Sequence, residues 1–186
     1  MIIFITGPTH TGKTKLAQKL LERLRIPYLS IDHLKMGLIR TRTIPFSVED
    51  DENLTACLWP IVREIASTAL ENDQDLIIEG CYIPCTWRND FTPDEQKTIR
   101  MLAIALDPAY IDAHFDAIVR HANDIEKRLD DSGLTKTALT RENAAFIQRF
   151  QEAGETVHVI RDDYEAQTRV LMNCLNRKDG GHHSNG

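Results

Sequence analysis

The chain of 186 residues has little of several things, and each shortage excludes a class of protein. Its apolar runs all fall short of the roughly 20 residues needed to cross a bilayer as a helix. The apolar N-terminus has neither a basic leader region nor a cleavage site, so the expected location is cytoplasmic and no membrane partner is expected. Four cysteines (Cys57, Cys81, Cys85 and Cys174) are too few for a disulfide framework in a chain of this size. Cys81 and Cys85, in GCYIPC, have no second pair nearby. They read as reduced cysteines near a sheet end rather than metal ligands. Positive charge is short too: the formal net charge is −6, which argues against a broad nucleic-acid surface and leaves room only for a local basic cleft. No internal repeat and no linker divides the chain.

What is present is concentrated at the start. Residues 7–14, GPTHTGKT, fit G-x-x-x-x-G-K-[ST], with Gly7, Gly12, Lys13 and Thr14 at the fixed places. Gly7 and Gly12 let the backbone turn where a side chain would collide, so that successive N–H groups converge on one anion. Lys13 sets an ammonium against the β- and γ-phosphates of a nucleotide, and Thr14 offers a hydroxyl to Mg²⁺. Pro8, Thr9, His10 and Thr11 complete the cradle. His10 either touches the γ-phosphate or points to solvent. The context suits the motif: Ile2–Ile5 reads as a buried parallel strand, and Leu16, Leu20 and Leu24 as the apolar stripe of a helix aimed at the phosphate. This is a nucleoside triphosphate site.

Further along, strand candidates occur at 27–31, 75–80, 100–106 and 157–160, separated by helical stretches. DHLKMGLI reads as a short helix, 53–71 as a long one carrying Pro60, and DYEAQTRVLMNCL as the last. Strands alternating with helices predict a parallel α/β sheet. The interval between the fourth and fifth strands is unusually long and reads as two helices, about 108–130 and 140–153. The polar, glycine-rich end of the chain, 179–186, reads as a disordered tail.

A D-x-x-G and N-K-x-D pair, as in GTP-binding switch proteins, is missing from the expected places. The whole chain instead resembles P-loop small-molecule kinases of the nucleoside-monophosphate-kinase-like group. LSIDHLKMGLIR and LIIEGCYIP look most like 2-phosphoglycerate-kinase-like and adenylate-kinase-like bacterial proteins. The resemblance implies one kinase domain over 1–178, a three-layer α/β/α sandwich and a five-stranded parallel sheet in order 2-3-1-4-5. It also implies a helical lid at about 108–153, with ATP and Mg²⁺ as cofactors. The D-G-[FY]-P-R of adenylate kinases is replaced here by EGCYIP, which disfavours a nucleoside monophosphate as acceptor.

The same resemblance points to the rest of a site. Asp32 follows the second strand, where α/β folds place ligand-binding groups. An acid there contacts the acceptor hydroxyl or the metal in similar kinases; the alternative is an N-cap for the helix 33–39. Glu79 ends the third strand and reads as a Mg²⁺ or substrate contact, or else a salt bridge. Gly80 beside it would let substrate approach the backbone. Arg120 and Arg128 lie eight apart, near one helical face, and are the lid candidates that would neutralise the moving phosphoryl group; the alternative is a solvated face. Arg40, Arg42 and Arg88 are candidates for gripping an anionic acceptor, or simply surface residues. His33 has no assigned role.

Together these readings predict a kinase acting on a small, hydroxylated, anionic molecule, as a monomer or homodimer. A toxin-like or nucleic-acid-end kinase and a non-catalytic ATP-binding sensor are the alternatives.

Overall fold

Five parallel strands make one sheet: β1 (Ile2–Thr6), β2 (Tyr28–Ser30), β3 (Leu76–Glu79), β4 (Ile99–Leu106) and β5 (Val157–Ile160), in spatial order β2-β3-β1-β4-β5. The computed structural model describes residues 1–48, 50–121 and 134–175. Among the described residues seven helices accompany the strands: α1 (Lys13–Leu24), α2 (Ile31–Arg40), α3 (Asp51–Glu71), α4 (Pro93–Thr98), α5 (Pro108–His121), α6 (Lys136–Glu152) and α7 (Tyr164–Cys174). The expected three-layer α/β/α fold and strand order are therefore present.

Both faces of the sheet are covered, which is why β1 is buried at every position and lacks alternation. Ile2 and Phe4 face α3, through Leu54, Leu58, Val62 and Ala66. The Phe4 ring sits at centroid distances of 5.7, 5.8 and 6.0 Å from Trp59, Trp87 and Phe91. Ile3 and Ile5 face the other way, onto Leu16, Ala17 and Leu20 of α1. Ala103 and Ala105 of β4 leave room for Phe146 and Phe150 of α6. Buried Asn143 ties that helix to the carboxyl end of β4 by accepting from the Leu106 amide at 2.7 Å. Among the described residues no helix is long and apolar enough to cross a membrane.

Several boundaries differ from the sequence reading. Helix α2 starts at Ile31, directly off β2, with Ser30 at its N-cap position. Helix α6 starts at Lys136 because the Thr135 side chain caps it, accepting from the Ala138 amide. A 3₁₀ turn (Trp87–Asp90) and α4 were not foreseen. The latter is set by a capping box in which Thr92 and Glu95 satisfy each other's amides. The expected helical continuation over 122–130 and the tail at 179–186 lie outside the described residues.

Candidate active site

Strand register brings the site together. Ser30 pairs with Glu79, and Glu79 pairs with Ile5, so these three residues share one level across β2, β3 and β1. Two residues beyond that level, at the carboxyl edge, the chains carry Asp32, Cys81 and Gly7. Crevices at this edge are where open α/β sheets bind ligands.

The loop after β1 is shaped by close approaches. A Cβ on Gly7 would stand 2.2 Å from the Ile104 carbonyl oxygen. Gly12 holds φ +79, and a Cβ there would meet the Tyr164 hydroxyl at 2.5 Å. His10 also takes a left-handed conformation, φ 62, and its Nδ1 shares a 3.0 Å hydrogen bond with the Thr9 hydroxyl. The Thr11 hydroxyl donates to the Pro8 carbonyl at 2.9 Å, and buried Lys13 donates from Nζ to the same oxygen at 2.7 Å. Helix α1 begins at Lys13, so its first amides have no acceptor within the helix and add positive potential at the loop.

Thr14 and Glu79 are brought together as the sequence suggested: the Thr14 hydroxyl donates to Glu79 Oε1 at 3.5 Å, and Glu79 is 1% exposed. A hydroxyl backed by a buried carboxylate is an oxygen donor set suited to a hard divalent cation. Cys81, which sequence reasoning set aside, lies at the same edge. Burial pushes its thiol up, Lys13 pulls against that, and Asp32 and Glu79 push further. The residue as a whole is exposed. One thiol thus feels the loop lysine, the α2 carboxylate and the β3 carboxylate.

Asp32 is in the first turn of α2 and does not cap it, which corrects the capping alternative; Ser30 occupies that position. Its carboxylate instead pairs with Lys35 one turn along. Lys35 also donates to the Tyr82 hydroxyl at 3.0 Å, and its ammonium lies 5.1 Å from the centroid of that ring. Tyr82 in turn donates to Asp51 Oδ1 at 3.2 Å, at the start of α3. Burial opposes the charge on Lys35, yet Asp32 and Tyr82 outweigh it and raise the lysine above its usual value. Burial pushes the Tyr82 phenol up to about 12, with Lys35 opposing. None of Lys35, Tyr82 and Asp51 stood out in the sequence. The only local hint was the i,i+3 spacing of Asp32 and Lys35.

A second brace comes from α7. The Tyr164 hydroxyl donates to the Gly12 carbonyl at 2.8 Å. Lys15 and Lys19 lie 5.6 and 5.9 Å from its ring centroid, and both pair with Glu165. Burial and then Glu165 raise the Tyr164 phenol, so it remains a donor.

Arg88 does not join the cleft. Its Nε donates to Glu155 Oε1 at 2.6 Å, its second branch reaches Oε2 at 3.3 Å, and its guanidinium stacks 4.4 Å from the Trp87 ring centroid. Glu155 precedes β5, at the amino edge of the sheet, and its side chain is 4% exposed. The 3₁₀ turn carries Arg88 away from the carboxyl edge, so a role in binding the acceptor is replaced by a structural ion pair. Gly80 also differs from expectation, since the direction a side chain would take is filled by Ile31, 2.8 Å from an added Cβ. Arg40 and Arg42 are exposed at the end of α2, Arg120 is exposed near the end of α5, and His33 is exposed on α2. Arg128 lies outside the described residues.

No protein-family model and no curated protein matches this chain. Solved structures do match it. A shikimate kinase from Bacteroides thetaiotaomicron superposes with a TM-score of 0.55 at 18% identity, over 95% of this chain and 99% of that one. A sugar kinase from a Janibacter species superposes with a TM-score of 0.53 at 15% identity, over 94% of each chain. The chain thus shares the fold of these two kinases. Across such low identity the likeness extends to the path of the chain, and this chain's own side chains must carry any statement about chemistry.

Proposed function

We propose that this protein is an ATP-dependent kinase that moves the γ-phosphoryl group of Mg-ATP to a small, hydroxylated, anionic metabolite, with a 2-phosphoglycerate-like acid as the first candidate. One observation carries the reading: the strand register sets Gly7, Asp32 and Cys81 at one level of the carboxyl edge, with the Thr14 hydroxyl against buried Glu79 beside them, so the motif loop and two carboxylates share one edge of the sheet.

In this reading the backbone of Gly7–Thr14 binds the ATP phosphates, and Lys13 leaves the Pro8 carbonyl to meet the β- and γ-oxygens. Thr14 and Glu79 hold Mg²⁺, directly or through water; when bound, the ion offsets the charge of the phosphates. Asp32 accepts the hydrogen bond of the acceptor hydroxyl and orients its oxygen in line with the γ-phosphorus. The bond from phosphorus to the ADP oxygen breaks, the bond to the acceptor oxygen forms, and the hydroxyl proton passes to Asp32. Such transfers depend mainly on positioning and charge neutralisation, which suits a carboxylate clamped by an ammonium. Arg40 and Arg42 supply positive charge for the anionic end of the acceptor. Residues 1–178 act as one kinase domain; α6 and the start of α5 are packed into the core, so any lid is confined to the stretch between them, with Arg120 or Arg128 as the residue that meets the phosphoryl group.

The test is a pool of hydroxy acids, phosphorylated sugars, nucleosides and nucleotides mixed with Mg-ATP, with product mass as the readout and Lys13→Ala as the control. A Lys13-dependent gain of one phosphoryl mass identifies the acceptor. ATP binding without any gain would overturn the small-molecule reading. Phosphorylation of short oligonucleotide ends would then mark a nucleic-acid-end kinase, and ATP-dependent hydrogen-exchange protection without consumption would mark a sensor.

A further inference from the structure

We propose that Tyr164 is a positioning residue for the loop and sets its affinity for the terminal phosphates of a nucleotide. It acts through the Gly12 carbonyl, which it holds so that the Lys13 amide faces the anion. The inference rests on the nucleotide-binding part of the reading above and is independent of transfer to any acceptor.

The peptide between Gly12 and Lys13 is the one that leads into α1. Gly12 occupies the N-cap position with φ +79, a conformation that glycine enters and leaves cheaply. Having no side chain, it caps none of the first-turn amides, which stay available to an anion. The same freedom lets this peptide turn over. A planar trans peptide points its N–H opposite to its C=O, so whatever holds the Gly12 carbonyl also aims the Lys13 amide. Two donors hold that carbonyl, as many as its lone pairs accept. The Leu16 amide donates to it at 3.0 Å, the first bond of the helix, and the Tyr164 hydroxyl donates at 2.8 Å. The Lys13 N–H is left facing the loop.

The Leu16 bond alone satisfies the carbonyl, so the tyrosine is not needed to pair an orphaned oxygen. What it adds is direction, because the end of a helix frays when its first bond stands alone. Tyr164 is itself well fixed. The Asp163 side chain caps α7 by accepting from the Ala166 amide, which makes Tyr164 the first residue of that helix. Lys15 and Lys19, one turn apart on α1, lie 5.6 and 5.9 Å from its ring centroid. The ring thus rests on the same helix whose leading peptide its hydroxyl holds. Contact is close enough to forbid a side chain at position 12, where an added Cβ would stand 2.5 Å from the tyrosine oxygen.

The experiment uses the full chain and titration calorimetry with two probes, Mg-ADP and inorganic triphosphate, well below the melting temperature. Tyr164→Phe keeps the ring and removes only the hydroxyl, and a thermal melt shows that it is folded. Its affinity for both probes should fall about tenfold, the worth of one charge-assisted hydrogen bond that has to be re-aimed on binding. Triphosphate has no base, so a parallel fall places the loss at the phosphates. Arg88→Ala, destabilised at the opposite edge of the sheet, controls for stability alone and should bind both probes within about twofold of wild type. In isotope-labelled protein, triphosphate should shift the Lys13 amide resonance of the wild type and shift it less in Tyr164→Phe. Unchanged affinity in Tyr164→Phe, an equal loss in Arg88→Ala, or a loss confined to Mg-ADP would overturn the proposal and leave the nucleotide site standing. Wild-type protein that binds neither probe would overturn both. The expected losses without phosphoryl transfer to any acceptor would uphold the proposal and overturn the kinase reading instead.

Discussion

The loop proposed to grip phosphate and the proposed acceptor side of the cleft stand at one edge of the sheet, yet the chain builds them in opposite ways. The loop is one continuous stretch, Gly7–Thr14, whose shape comes from backbone turns that only glycine makes cheaply. The acceptor side is a row of side chains, Asp32–Lys35–Tyr82–Asp51, drawn from α2, the segment after β3 and the start of α3. A triphosphate presents the same atoms to every enzyme that uses it, so a local backbone mould suffices. An acceptor differs from one enzyme to the next, and side chains from separate elements can change without disturbing the mould.

Removing the charge at the core of the donor side should have the largest effect. Lys13→Ala is expected to lower turnover about a thousandfold with the fold intact, as read by steady-state ADP release and circular dichroism. Asp32→Asn tests the other half: kcat should fall about a hundredfold while the KM for ATP moves by less than about threefold. A comparable loss of ATP affinity would show that the two halves are not separable. Arg88→Ala sharpens the boundary of the site, since it should leave kcat within about twofold yet cost about 2 kcal/mol of stability in urea unfolding, because Glu155 is left buried without its cation.

The smallest effect concerns the brace on the loop. The Lys19 and Lys15 ammonium groups hold the Glu165 carboxyl down at about 2. A depressed carboxyl stabilises the fold above its ordinary titration range and loses that contribution as pH falls toward 2. Glu165 is about half exposed, so solvent screens the pair. Glu165→Gln should therefore cost well under about 1 kcal/mol near neutral pH. The difference from wild type should shrink between the ordinary carboxylate range and pH 2, and in molar salt, as seen in urea midpoints across pH.

The contrast also explains what could be read in advance. The strands and the loop were legible because each rests on a contiguous pattern: apolar runs such as Ile2–Ile5, and glycines at fixed spacing; the strand order came only from the family resemblance. The pairing of Thr14 with Glu79 was legible because both follow from strand ends at one edge. Lys35, Tyr82 and Asp51 were not, because nothing in a linear pattern says that residues 35, 51 and 82 meet. Cys81 was weighed only together with Cys85, as metal ligands or as reduced cysteines near a sheet end, so its place level with Gly7 and Asp32 went unseen. Arg88 was misplaced because the chain turns back after β3 toward the amino edge of β4. The signal for that return was present in Thr92-Pro93-Asp94-Glu95, a capping box announcing an extra helix before the strand.

The hydroxyl of Tyr164 against Gly12 joins residues 152 positions apart in the chain. While the protein is being synthesised, the complete GPTHTGKT motif leaves the ribosome long before α7 exists. Until that helix docks, the loop has its sequence and lacks its clamp. In the proposed reading the finished grip on a nucleotide therefore waits for α7: a chain cut or stalled before Tyr164 displays the motif without its clamp.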